Sequence, residues 1–420
     1  MELATTKEVR PLARKPKRDL TMEEQLARGP VDLPFLMILM LLVGIGLIMM
    51  FSASYASAYY DSSASVQNNP LYYIQRQGLF AAAGIVCMYI ISKINYQTFR
   101  GLSVFVLGIS IVLLVLVLPF GYGKSTVGAQ RWISLPIIGG FQPSEIAKVG
   151  VIMYFAARLS KRNTEKHKRL PPRHPLSGLH AWLDEKGVLE PIPYFLILGL
   201  VAVLMLMEPH MSGTILVLVG GASVLFAAGI KLYWFIGGGA VAAAGLWVIM
   251  TRTSYMATRL AIWKNPWDDG MNGRDKGFQI IQSLYAIGSG GLLGVGFGKS
   301  RQKFLYLPES ENDYIFSIWC EEMGFVGAAI VILLFILLVI RGYWIAVHAR
   351  DRFGALLVVG ITTLTAVQVF LNIAVVTNLI PSTGISLPFF SYGGTALMIQ
   401  LAEMGMVLSV SRQIPAPKQE

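Results

Sequence analysis

Residues 312–340 read NDYIFSIWCEEMGFVGAAIVILLFILLVI, a run that opens beside one aspartate, Asp313, and then stays apolar with few breaks to Ile340. A helix needs about 20 such residues to cross the hydrocarbon of a bilayer. This stretch is long enough to be a span, and that reading decides the fold. Two more carboxylates, Glu309 and Glu311, precede Asp313 at a spacing of two. Taking a carboxylate toward hydrocarbon is costly, so each of the three must be hydrated, paired or used. Asp313 is the deepest, at a point where the chain is expected to be helical already, and it is the acid singled out. The competing reading is a hydrated helix cap, with Asn312 or Asp313 accepting the first free backbone amides at the positive end of the helix dipole.

The same pattern extends outward through the 420-residue chain, which is 54% hydrophobic and 14% charged, with mean hydropathy +0.58. Its apolar blocks are too long for a soluble core, so the expected class is an all-α polytopic membrane protein. Ten candidate transmembrane helices begin near Leu33, Ile74, Thr98, Gln142, Glu190, Gly213, Leu232, Asn312, Phe353 and Ser391. Residues 1–31 form a basic tail, too polar and too long for a cleavable signal peptide. Residues 32–412 form the membrane domain and 413–420 a short second tail.

Lys and Arg in short loops mark the cytoplasmic side. They crowd the amino-terminal tail, the segment from Lys161 to Lys186, and the loop holding Arg341, Arg350 and Arg352, whereas residues 52–73 contain none. With an even number of spans, both termini are expected in the cytoplasm. The net charge of +11 follows from this topology; contact with anionic membrane lipid accounts for the basic tails, and nucleic acid is not required. Cys87 and Cys320 read as small core residues rather than a disulfide. Scattered histidines and the absence of a Cys/His cluster offer no structural metal site.

Residues 251–312, between the seventh and eighth spans, form a large extracytoplasmic loop, far longer than a connection needs to be. Its cations include Arg259, Lys299, Arg301 and Lys303, an excess that points to an anionic substrate such as a diphosphate; the alternative is contact with lipid headgroups. Within it, residues 277–300 read as a short amphipathic helix followed by a glycine-rich run. The ending Gly298-Lys299-Ser300 is not a P-loop, because the glycine required five residues earlier is Leu293. No nucleotide or organic cofactor is expected. Glycines there give tight turns and close backbone approach.

Two further features lie at or within the bilayer. Glu145 and Lys148 are three apart on a helix and can neutralise each other, either as a functional site or as a structural pair. The segment from Asn378 to Leu397, rich in Pro, Gly and hydroxyls, reads as a re-entrant or broken stretch lining a cavity. Its aromatics, Phe389, Phe390 and Tyr392, could equally be interfacial anchors.

Taken in order, GAQRWI (Gly128 to Ile133), FQPSEIAK (Phe141 to Lys148), EPHMSGT (Glu208 to Thr214), Gly277 to Ser300, YLPESENDYIFS (Tyr306 to Ser317), EEMGFVG (Glu321 to Gly327) and PSTGISLPFFSYGGTAL (Pro381 to Leu397) resemble the SEDS family of cell-wall proteins, which contains FtsW, RodA and SpoVE. KFLYLPE with NPWDD looks closest to the division and sporulation members. The resemblance implies a multi-pass protein of the bacterial cytoplasmic membrane, a peptidoglycan glycosyltransferase that polymerises lipid II on the extracytoplasmic face. It also implies a class B penicillin-binding transpeptidase as partner, with divisome or sporulation proteins around it. On this reading Asp313 is the catalytic aspartate, and Glu145 and Lys148 are the family's intramembrane acid and lysine. The chain departs from the family in two places. His210 stands where an acid is usual, and Asn312 stands where a Thr usually precedes the aspartate.

As a general base, Asp313 would take the proton of the acceptor 4-hydroxyl, which displaces undecaprenyl diphosphate with inversion. Arg131, Arg259, Lys299, Arg301 and Lys303 are the candidates to neutralise the departing diphosphate, by location. A magnesium or manganese ion held by the diphosphate and a carboxylate such as Glu309 is left open. Alternatives are a RodA-type elongation polymerase, a lipid II flippase, for which no inverted repeat is found, and a non-catalytic scaffold.

Overall fold

The computed structural model describes residues 29–63, 66–122, 130–135, 139–161, 190–252, 254–269, 271, 273–275 and 277–414, without the side chains of 135, 246–252 and 254–257. The amino-terminal tail to residue 28, most of the basic segment after Lys161, Lys276 and the last six residues lie outside the described residues.

Each of the ten apolar blocks forms a helix. They are α1 (Leu33–Tyr60), α2 (Tyr72–Lys93), α3 (Gln97–Phe120), α4 (Pro143–Leu159), α5 (Ile192–Met207), α6 (Met211–Ala227), α7 (Leu232–Arg252), α10 (Ile315–Val347), α11 (Arg352–Val376) and α12 (Gly394–Ser411), with α8 (Ser254–Lys264) and α9 (Phe278–Gly290) in the large loop. Six of the ten, α1, α2, α3, α10, α11 and α12, are long and apolar enough to cross a membrane by length and composition. The expected all-α class needs one correction: strands β1 (Ile133–Leu135) and β2 (Gly139–Phe141) pair antiparallel between α3 and α4. Three-residue strands are too short to show an alternating pattern in sequence.

At the end away from this ribbon, polar ties fasten helix ends together. Asp32 caps α1 by accepting from the Phe35 amide at 3.0 Å and takes a bidentate hydrogen bond from Arg341 near the end of α10. Asp351 caps α11 and accepts from Tyr96, just ahead of α3, at 2.9 Å. Between the ends, α2 packs against α12, α3 against α4, and α11 against both α10 and α6.

Helix α10 is broken at Gly324, whose φ of 66° and ψ of −168° lie outside the helical region. A residue with a side chain would be strained there and would run into the backbone of Leu292 and Gly294. The break orphans two carbonyls, Glu321 and Glu322, and two amides, Phe325 and Val326. The glycine-rich run satisfies all four: Val295 and Gly296 donate to the two carbonyls at 3.0 Å, and Gly291 and Leu292 accept from the two amides at 2.9 and 3.1 Å. Buried backbone groups must find such partners, so the run docks into α10. Helix α9 accordingly packs on α10 with Ile280, Ile281 and Ala286 buried, in place of lying free along the membrane face.

From Thr377 to Gly393 the chain is non-helical, and from Leu387 to Ser391 it is buried throughout, in keeping with the re-entrant reading. The Phe389 carbonyl rests on Gly46, about halfway along α1. Phe389 and Phe390 are at most 2% exposed and stack on Phe335, so they are core residues, not interfacial anchors.

Candidate functional site

Asp313 sits in the turn before α10, not within the helix as its sequence position implied, and α10 has no side-chain cap. The capping alternative is thereby excluded. Its backbone carbonyl accepts from Asn372 of α11 at 2.8 Å. That same amide reaches the Ile385 carbonyl at 2.6 Å, so one buried asparagine fixes the aspartate turn to the re-entrant segment. Gly384, at φ +69°, leaves room for the carboxylate, since a Cβ there would stand 3.1 Å from Asp313 Oδ2. Burial pushes the Asp313 carboxyl up, Glu309 adds to the rise, and Arg131 and Arg259 pull it back, leaving it at about 6.

Those two arginines come from distant parts of the chain. Arg131, at the start of the β-ribbon, donates to the Pro209 carbonyl, and Arg259 of α8 donates to the Ser382 carbonyl in the re-entrant segment. Backbone carbonyls thus help to position both guanidiniums. Tyr314, beside the aspartate, donates to Ser382 Oγ at 3.3 Å.

The other expected residues separate. Glu309 is exposed beside Asn312, which donates to it. Lys299 and Arg301 are exposed, and no described contact brings them to Asp313. Lys303 departs from the expected role. It is 3% exposed, and its ammonium is used on Glu322 at 2.9 Å, Ser52 Oγ at 3.0 Å and the Gly298 carbonyl at 2.8 Å. With all three donors engaged, it is an internal tie between α1, α10 and the glycine-rich run. The neighbouring carboxylate, Glu321, accepts from Ser300 Oγ and from the amides of Arg301 and Gln302.

Glu145 and Lys148 do pair, at 2.8 Å and buried, at the start of α4. A third ionisable group joins them: Glu403 of α12, 3% exposed, interacts with both. Lys148 also acts on His210, which is buried and faces Gln142 across 3.3 Å. Burial, with Arg131 and Lys148 adding to it, holds the His210 imidazole well below its usual value and therefore neutral.

Glu208 was missed by the sequence reading. It is 1% exposed, and neither carboxylate oxygen has a hydrogen-bond partner. Burial pushes it to about 8 despite the opposing effect of Arg131. The signal was available, because Glu208 closes an apolar helix as Asp313 precedes one. Glu403 gave no such signal, since its partners are remote in sequence.

Around Asp313 the structure gathers a carboxylate able to take a proton and two cations that act on it, one of which, Arg131, also acts on Glu208. Among the described residues no three His, Cys, Asp or Glu side chains group as a metal site.

The profile of the family described as cell cycle protein, covering FtsW, RodA and SpoVE, matches residues 33–415. Stage V sporulation protein E of Bacillus subtilis (strain 168) is 40% identical over 384 residues, 91% of this chain and 97% of that protein. A probable peptidoglycan glycosyltransferase FtsW of Geobacter sp. (strain M18) is 38% identical over 384 residues, again 91% and 97%. Among solved structures, a chain from a peptidoglycan synthase complex coordinating polymerization and crosslinking superposes with a TM-score of 0.67 at 27% identity, covering 93% of this chain and 99% of that one. Thermus thermophilus RodA superposes with a TM-score of 0.60 at 26% identity, covering 92% and 98%.

Proposed function

The chain belongs to the family of FtsW, RodA and SpoVE, and from that premise we infer that it is a peptidoglycan glycosyltransferase. It polymerises lipid II from a multi-pass position in the bacterial cytoplasmic membrane, crossing it ten times with both termini inside and the Asp313 site on the extracytoplasmic face. The observation that carries the chemistry is Asp313, its turn fixed by Asn372, with Arg131 and Arg259 acting on a carboxyl that stands at about 6.

A carboxyl with that value is ionised in roughly nine molecules of ten at pH 7, yet it is a stronger base than an ordinary aspartate. Asp313 takes the proton of the acceptor sugar's 4-hydroxyl. The freed oxygen forms a bond to the anomeric carbon of the donor as the bond from that carbon to the diphosphate breaks, with inversion. The diphosphate leaves as an anion of undecaprenyl diphosphate, and Arg131 and Arg259 offset its charge. A magnesium or manganese ion arriving on the diphosphate would have exposed Glu309 as its carboxylate ligand and would add to that neutralisation.

Identities of 38–40% to SpoVE and FtsW relatives support a role in septal or sporulation wall synthesis. The likeness to a peptidoglycan synthase complex supports a class B penicillin-binding transpeptidase as partner. Proton-accepting and anion-binding residues gathered on one face favour an enzyme over a flippase.

The test is purified protein, with and without a transpeptidase partner, incubated with lipid II and divalent cation and read as glycan length. Polymer from wild type and none from Asp313→Asn is the expected result; polymer from both removes Asp313 from the role.

A further inference from the structure

Lys299 and Arg301, two of the cations expected at the diphosphate, are exposed and take part in no ion pair among the described residues. They close a run that is apolar for an exposed loop. Leu292 is 72% exposed and Leu293 80%, and Val295 and Phe297 are exposed as well. A cluster of that kind calls for an occupant, and its height along α10 says which.

Helix α10 marks that height. From Ile315 to Gly324 no residue is exposed. At Phe325, 67% exposed, an outward apolar face begins that runs through Ile330, Leu333 and Ile340 to Val347. At the other end the Arg341 guanidinium lies over the Trp344 ring at 4.0 Å, an aromatic and a cation of the kind that gather at a membrane interface. Nineteen residues separate Phe325 from Trp344, about 28 Å at helical rise, and the hydrocarbon of a bilayer is about 30 Å thick. Phe325 therefore sits at the opposite boundary of the hydrocarbon.

The glycine-rich run is bonded to α10 at that level, since the carbonyls of Gly291 and Leu292 accept from the amides of Phe325 and Val326 at 2.9 and 3.1 Å. Its leucines share the depth of the first outward residues of α10. Non-helical backbone is tolerated at such a depth only when its polar groups find partners. The bonds across the Gly324 break supply them for the carbonyls of Gly291 and Leu292 and the amides of Val295 and Gly296.

The cations lie a step further out. The Arg301 amide donates to Glu321 Oε1 at 2.9 Å, and Glu321 precedes Phe325 by one helical turn, about 5 Å. The polar layer on each side of the hydrocarbon is about 5–8 Å deep, so Arg301 stands at the level of lipid phosphates. The Lys299 stem folds back along the run, where a Cβ on Gly296 would stand 3.3 Å from Lys299 Cδ. An aliphatic stem laid on apolar chain leaves its ammonium free to reach the polar layer.

We propose that residues 292–301 form a lipid-docked element. Leu292, Leu293, Val295 and Phe297 enter the edge of the hydrocarbon, and Lys299 and Arg301 bind the phosphate of an anionic phospholipid such as phosphatidylglycerol. The proposal rests on the reading of α10 as a membrane span and is independent of the reaction at Asp313.

The test uses full-length protein in nanodiscs with one bimane fluorophore at Leu293→Cys. Cys87→Ala removes the half-buried native thiol, and Cys320 is buried. Phospholipid doxyl-labelled near its headgroup is expected to quench the probe and aqueous iodide to leave it bright; Phe297→Cys carries the probe if the first variant does not fold. Doxyl-labelled phosphatidylglycerol should quench at a lower mole fraction than doxyl-labelled phosphatidylcholine. Lys299→Gln and Arg301→Gln should each raise that mole fraction about fivefold. Equal quenching by the two lipids, or a preference unmoved when both cations are replaced, overturns the proposal. So does a probe reached by iodide and not by lipid, as on a face awaiting a protein partner, or one reached by neither. Bimane at Leu333→Cys, midway along the outward face of α10, checks the span itself. Absence of lipid quenching there would remove the spanning reading, whereas lipid contact at 333 with iodide contact at 293 would remove the docked element alone.

Discussion

The side-chain amide of Asn372 donates to the backbone carbonyl of Asp313 at 2.8 Å, so a residue of α11 that touches no substrate sets where the base sits. Asn372 is fully buried and also holds the Ile385 carbonyl. Asn372→Leu should leave both carbonyls unsatisfied, at about 1–3 kcal/mol each, and release the aspartate turn from the re-entrant segment. The expected outcome is a lower unfolding temperature together with a fall in kcat that exceeds any change in KM, measured on protein that still binds lipid II.

The acidic limb of the activity profile should report Asp313. Its carboxyl is raised to about 6, and the base works only when ionised. Polymerisation should therefore fall as pH drops through 6, by about tenfold per unit below it. Removing Arg259 takes away an influence that lowers Asp313, so Arg259→Gln should move the limb to higher pH. An unmoved limb in that variant would separate the arginine from the aspartate.

Glu208 carries an opposite consequence, for stability. Its value rises from 4.5 unfolded to about 8 folded, so the folded protein binds a proton that the unfolded chain releases across that window. Native stability is greatest below pH 4.5 as far as this group is concerned, and is lost progressively as pH rises toward 8. The effect is bounded by about 5 kcal/mol. Glu208→Gln should remove the trend, and thermal unfolding at pH 6 and pH 8.5 in detergent would show whether the variant gains most at the higher pH.

Lys303→Ala would leave Glu322 buried without its cation, a loss of about 3–5 kcal/mol, and folded yield should collapse. Lys303→Met combined with Glu322→Gln should recover much of it. Lipid II affinity in the recovered protein is expected to match wild type, measured by titration with radiolabelled lipid II. A loss of affinity would return Lys303 to the substrate.

The ten apolar helices were legible because apolar length is a local property: Leu33 and Leu232 begin their helices where expected, and Arg352 lies one residue from the expected Phe353. The Glu145–Lys148 pair was legible for the same reason, both partners lying on one turn. What depends on distant chain was not. Lys303 looked like a loop cation until Ser52 and Glu322 surrounded it. The onset of α10 was misplaced because Asn312 and Asp313 are held from outside, through their carbonyls, by Ser391 and Asn372. Residues 321 to 324 read as part of a continuous span, since nothing in their own sequence reveals that the glycine-rich run takes over their backbone bonds.

That takeover has a mechanical side. The loop carrying Asp313 leaves α10 at the Glu321–Glu322 level, where those two carboxylates grip residues 300–303, and returns to the same helix at Ile315. Loop and helix form a closed lariat with both ends tied to one post. The turn just before Ile315 is tied sideways as well, by Asn372 of α11 and by Ser391 of the re-entrant segment, the segment that also holds Arg259. A displacement of α10 is thereby shared with α11 and the re-entrant segment, so base and cation move on one connected frame.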